Sequence, residues 1–183
     1  MSQKMIGKTK ILKSDGTERE IELKAPGYAA VSQLLSKLSE NDRDDLISQS
    51  DSAITHAKAT GPIDRSKWNQ ETLEQFEKTD DDAFRNLMVS GSIFAIIKLG
   101  ARNVSTNDVL YQLACSVLPS TVCSSAADGV ADAKKARLII ESDLELDVAD
   151  LGILVAHAVA SGVGALMVSA RASSMRSFLQ TQR

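Results

Sequence analysis

The side chains here with chemistry to offer are two cysteines, two histidines, two runs of aspartate and a few clustered cations. Cys115 and Cys123 flank Pro119 with seven residues between them, which is not zinc-ligand spacing, and neither His56 nor His157 lies near them in sequence. Cys115 with His157 could form a nucleophile–base dyad, the basis of a small enzyme. The plainer reading makes each cysteine a small buried hydrophobe and His157 a core or interface histidine. His56, between Thr55 and Ala57, reads as a surface residue. Asp42, Asp44 and Asp45, and then Asp80, Asp81 and Asp82, lack the alternating ligands and central glycine of a calcium loop. Capping of helix starts accounts for both sets. Gly162-Val163-Gly164 follows no strand, so it is not a phosphate loop. The expectation is a protein with no catalytic, cofactor or metal site, in which Cys115→Ala leaves function unchanged.

Lys134, Lys135 and Arg137 form a small basic patch on one predicted helix, and Arg171, Arg176 and Arg183 are the last charges of the chain. Lys134, Lys135, Arg137, Arg171 and Arg176 are the candidates for touching a nucleic-acid backbone. The bland alternative is a solvated face, with cations suited to a helix C-terminus.

The element that must position these groups is the run Leu151–Ala170, LGILVAHAVASGVGALMVSA, 20 residues without Asp, Glu, Lys or Arg. Its length would span a bilayer. Ser161, Ser169, His157 and three glycines dilute it, however, and it has no interfacial Trp or Tyr and no flanking basic cluster. The reading is a buried central helix of a bundle, packed on protein and not on lipid. Gly152, Ala156, Ala160 and Gly164 recur every four residues and form a slowly winding ridge of small side chains. That ridge is the candidate self-association surface. Ala160→Leu should force a close helix pair apart there, at about 1–3 kcal/mol for overpacking.

Ahead of it the chain divides into a hairpin with two helices (1–60), a polar linker (61–68) and a helical body (69–183). In Lys8–Leu23, a loop of Ser14-Asp15-Gly16 pairs Ile11 with Arg19, Thr9 with Ile21, Lys10 with Glu20 and Lys8 with Glu22. This register puts Ile11, Ile21 and Leu23 on one face and opposite charges on the other, with Gly16 in the left-handed position. A lone hairpin is marginal, so its apolar face must cover something. Helices are expected with Val31, Leu34, Leu35 and Leu38 inward, and over Asp42–Thr60 with Leu46, Ile47, Ala53, Ile54 and Ala57 inward. Further helices follow over Asn69–Lys78, over Ala83–Leu99 with Gly100 as its stop, and from Ser105–Asp108 to Pro119. The last before the central run covers Ala126–Glu141, with Val130, Ala133, Leu138 and Ile139 inside. The fold class is mainly α: a helical bundle with a short N-terminal β-hairpin and a buried C-terminal central helix.

Composition excludes several classes. A hydrophobic content of 43% supports a packed core. Lys and Arg total 21 against 24 Asp and Glu, a net charge of -3 with no general pull toward nucleic acid, and 4% aromatics offer few stacking platforms. The polar N-terminus has no signal-peptide core, and two cysteines make no disulfide framework, so a reducing, intracellular setting is expected.

The order of elements, with the hairpin ILKSDGTEREIEL, the LKAP leading from strand to helix and the helices after it, resembles phage tail-assembly chaperones. The likeness covers about the first forty residues, and no residue role transfers. It implies a non-catalytic protein that escorts or coats other virion proteins, in the host cytoplasm or the virion. The long apolar C-terminal half departs from a simple chaperone and looks as much like the subunit of a helical coat or nucleocapsid. The expected partners are further copies of the chain or other structural proteins, with nucleic acid possible and no membrane.

Overall fold

The computed structural model describes residues 5–12, 16–123 and 132–162. The chain is mainly helical, and the described residues form seven α-helices and one two-stranded antiparallel hairpin at the N-terminal end.

The hairpin joins β1 (Met5–Leu12) to β2 (Glu18–Lys24). Its pairs include Lys8 with Glu22, Thr9 with Ile21, Lys10 with Glu20 and Ile11 with Arg19, the register that sorts side chains by face. Gly16 is left-handed, at φ 81. The ion pairs run diagonally, Lys8–Glu20 at 2.7 Å and Lys10–Glu18 at 2.8 Å, because strand twist brings the diagonal neighbours together. A bulge at Ile6, beside Gly7, carries the pairing on to Met5 and Lys24, beyond the expected limits. Ile21 and Leu23 are buried, and the Lys24 amide donates to the Val117 carbonyl at 2.8 Å. The hairpin therefore covers the end of the fifth helix.

After the Pro26-Gly27 break, α1 (Tyr28–Leu35) buries Val31, Leu34 and Leu35, and Leu38 follows them into the core. Helix α2 (Glu40–Lys58) starts at a Ser39 cap that accepts from the Asp42 amide at 3.2 Å. It buries Leu46, Ser50 and Ala53, with Ile47 and Ile54 partly covered. Ala57 is exposed, contrary to its periodicity, because it lies in the last turn before the chain extends at Ala59. Short α3 (Gln70–Phe76) is capped by Asn69. Helix α4 (Asp81–Gly100) is capped by Asp80, which accepts from the Ala83 amide at 2.8 Å, with Asp81 and Asp82 in the first turn. The Asp80–Asp82 run thus serves the helix dipole and the orphan amides. Gly100 is not left-handed. The helix nevertheless ends at Gly100 as expected, and a Cβ there would sit 2.8 Å from Leu110 Cδ1, so this glycine also admits the next helix.

Helix α5 (Val104–Ser116) begins earlier than the Ser105–Asp108 signal suggested, because Asn103 takes the cap and accepts from the Thr106 amide at 2.7 Å. Its residues from Val109 to Ser116 are all buried. It packs against α1, α4 and α6, and so shares the central place expected for the Leu151–Ala170 run. Helix α6 (Ala133–Leu138) starts at an Asp132 cap and widens into a π-helical turn over Ile139–Asp143, while residues 126–131 of the helix expected from sequence lie outside the described residues. Ala136, Ile139 and Ile140 take its inward face. Leu138, expected inside, points out at 59% exposure, since it lies on the opposite side from that trio. Val130 lies outside the described residues. Asp147 opens α7 (Val148–Gly162), accepting from the Asp150 amide at 2.8 Å.

One hydrophobic cluster runs from Ile21 in the hairpin to Val159 in α7 and draws on α1, α2, α4, α5 and α6. Residues 61–68, read from sequence as a linker, carry a single 3-10 turn and are held against the start of α4. Arg65 pairs with Asp81 at 2.7 Å and donates to the Thr79 carbonyl at 2.7 Å, while Arg85 donates to the Gly61 carbonyl. Trp68 lies 4.7 Å from the Phe84 ring, and Phe76 meets Phe84 edge-on at 5.2 Å.

Candidate interaction surface

The central helix turns its small residues mostly inward. Gly152 faces α4, where a Cβ would come 2.8 Å from Ile93 Cγ2 and 3.4 Å from the Ile93 carbonyl. Ala156 is buried, Ala160 is half-exposed, and Gly164 lies outside the described residues. At the far end Gly162 meets α1, with a Cβ position 2.7 Å from Val31 Cγ1. At Gly152 and Gly162, then, the small side chains admit neighbours of the same chain. Ile153, His157, Ala160 and Ser161 form the half-exposed side of α7, so this helix is wrapped on most sides but not all.

The two thiols come together inside the fold. Burial, with Cys123 as its neighbour, pushes the Cys115 thiol up to about 12, and its sulfur lies 3.6 Å from the Ala136 carbonyl. Such a thiol stays protonated and is a poor nucleophile. The charged neighbour felt by His157 is Lys58, at the end of α2, and burial and that ammonium both lower its proton affinity. Sequence alone did not suggest the Cys115–Cys123 meeting, because Pro119 and the end of α5 fold the chain back between them.

Of the basic candidates, Lys134 and Lys135 are exposed on α6. Arg137 is engaged: it pairs with Asp108 at 3.2 Å and lies over the Tyr111 ring at 4.9 Å. The Tyr111 hydroxyl in turn donates to Glu141 on the π-helical turn. Burial and that carboxylate push Tyr111 up to about 12. These groups border an open groove of about 480 Å³, lined by Val104, Asp108, Lys134, Arg137, Leu138 and Glu141 among others. Two carboxylates and two cations leave it without a net preference for an anion. Arg171 and Arg176 lie outside the described residues.

The feature that sequence reading missed is the outer face of α4. Ala83, Leu87, Gly91, Phe94 and Lys98 are exposed at spacings of four, four, three and four residues, which align them along one side of the helix. Phe94 is 65% and Leu87 50% exposed. Between them a Cβ on Gly91 would meet nothing within 4 Å. Single exposed hydrophobes are ordinary, whereas these two share one helix face, two turns apart. The opposite face is anchored: Phe84, Ile93, Ile96 and Leu99 enter the core, and Ser92 meets Ser52 of α2 at 3.1 Å. By length and composition α4 is, among the described residues, the one helix apolar enough to cross a bilayer. Its inner-face polar groups, Arg85 and Ser92, hid the exposed row from a simple apolar reading.

Comparison of the chain with protein-family models, with curated proteins and with solved structures finds no match.

Proposed function

We propose that this chain is a non-catalytic subunit that works by protein–protein contact, present in many copies in a viral or phage-like assembly. The observation that carries the reading is the aligned apolar row Leu87–Phe94 on α4, held on a helix whose other face is fixed in the core. Apolar surface of that kind is stabilised by covering it. The viral setting, in the host cytoplasm or the virion, rests on the resemblance of the N-terminal hairpin and helices to tail-assembly chaperones. The alternative of a small enzyme built on Cys115 and His157 draws no support from a protonated, buried thiol whose close partner is Cys123. A coat subunit that binds nucleic-acid backbone would use Lys134 and Lys135, since Arg137 is paired within the chain.

Light scattering and electron microscopy of the purified chain, with and without nucleic acid, test this. The expected result is assemblies larger than a monomer. If nucleic acid is part of them, binding weakens steeply as salt rises. A chain that stays monomeric and binds no structural protein would overturn the reading.

A further inference from the structure

We infer that Cys115 and Cys123 form an intramolecular disulfide when the protein meets a peroxide, a modification that staples the last turn of α5 to the chain beyond Pro119. Both thiols are free and buried within the hydrophobic cluster. Cys115 lies in the last turn of α5, where its carbonyl accepts from the Leu118 amide at 3.2 Å. Beyond it the Val122 and Cys123 amides both donate to the Pro119 carbonyl at 2.9 Å, which turns the chain back on itself. Cys123 thereby returns to Cys115, and the two thiols share a hydrogen bond. Forming the disulfide gives up little else, since the Cys115 thiol donates only a weak contact to the Ala136 carbonyl at 3.6 Å. The inference is independent of the protein-contact reading above.

The surroundings assign an order to the two sulfurs. The side chain of Lys24, at the end of β2 and itself buried, lies within electrostatic reach of the Cys123 sulfur. A cation there stabilises the charge that the sulfur carries as it attacks. Cys115 is held protonated by its burial. Cys123 therefore reacts first and Cys115 resolves. Sulfurs so covered exclude bulky reagents, while a peroxide close to water in size reaches them through brief local openings. In the first step the Cys123 sulfur attacks one peroxide oxygen, the O–O bond breaks, and the departing hydroxide leaves with the thiol proton as water. In the second the Cys115 sulfur attacks the resulting sulfenic sulfur, the S–O bond breaks, and that hydroxide takes the Cys115 proton as another water. The thiols together lose two electrons and the peroxide gains them. The bond holds the seat of the hairpin: between the cysteines lie Val117, whose carbonyl accepts the Lys24 amide at 2.8 Å, and Leu118, both fully buried. Closing this short loop restricts the unfolded chain and so favours the folded one.

The test treats the full reduced chain with a few molar equivalents of hydrogen peroxide and reads it by mass spectrometry, whole and after digestion without reductant. The expected product is a chain lighter by two hydrogens, with the Cys115 and Cys123 peptides joined to each other and released by dithiothreitol. The oxidised chain should unfold at a higher urea concentration than the reduced one. By linkage, the ratio of disulfide to dithiol in a glutathione redox buffer should be about tenfold or more higher for the native chain than for the chain in urea. Cys115→Ala should stop at oxygen adducts on Cys123, since the resolving thiol is gone. That variant alters the core, and the wild-type ratio carries the test if it does not fold. Native thiols that survive peroxide, disulfides that join only different chains, or a ratio no higher in the folded protein than in urea would each overturn the inference.

Discussion

Helices α4 and α7 are both long apolar helices, and they put their apolar residues to different use. In α7, Leu151, Leu154, Val155, Ala158 and Val159 are all buried, and the glycines at both ends touch neighbouring helices. In α4 the core takes Phe84, Ile93, Ile96 and Leu99, while Leu87 and Phe94 face outward across an unfilled glycine. By composition α7 is the more conspicuous, because no charge interrupts it after Asp150. In the fold it is α4 that holds apolar surface in reserve. The difference teaches that the apolar content of a helix measures how much partner it needs, while the number of neighbours it has found decides what is left over.

Four substitutions would sharpen or break this contrast. The largest effect is expected at Leu154, fully buried in α7: Leu154→Ala should cost about 2–5 kcal/mol, read as a fall in the denaturation midpoint. A change near zero would mean that α7 is not the packed helix described. Next is Gly152→Ala, where the new methyl would lie 2.8 Å from Ile93 Cγ2 and close to the Ile93 carbonyl. Backbone on one side limits relief, so a loss of about 1–3 kcal/mol is expected in urea titration. The matched substitution in α4, Gly91→Ala, should have the opposite sign. Its Cβ meets nothing and the residue is helical, so the isolated chain should gain about 0.5–1 kcal/mol. Equal effects at the two glycines would erase the distinction between a filled and an open face.

The smallest effect concerns His157 on the half-exposed side of α7. Burial first, and Lys58 second, hold its proton affinity below the ordinary value of 6.5. The folded protein therefore binds fewer protons at this site than the unfolded chain does. The stability it contributes is fully present above about pH 6.5 and is lost as pH falls through the folded-state value. His157→Gln should flatten the acid side of the stability profile, measured as urea midpoints at about pH 7.5 and about pH 5. An unchanged slope would place the acid sensitivity elsewhere.

Much of the fold was legible locally. The hairpin register followed from a period of two and from which charges would face each other, and it is realised pair by pair from Lys8–Glu22 to Ile11–Arg19. Ser39, Asn69 and Asp80 all cap helices, because a cap is a bond between residues three apart and needs nothing from the rest of the molecule. The misses have a common cause as well. Asn103 took the cap of α5 from the Ser105–Asp108 signal, and Leu138 turned outward while Ala136 turned in. Several local solutions were open at those places, and contact with another helix selected among them.

What the sequence determined by itself was therefore the type of the longer elements and the pairing inside the hairpin, all set by interactions within a few residues or across one short loop. Only the tertiary structure decided that α5 shares the centre with α7, that Cys115 and Cys123 meet, that Gly100 and Gly152 are places of close approach, and that the row from Ala83 to Lys98 faces outward. Each of these depends on which other helix arrives at a given face. That is a property of the whole packing, because burial removes surface only in pairs and a helix carries no record of which of its faces will be met.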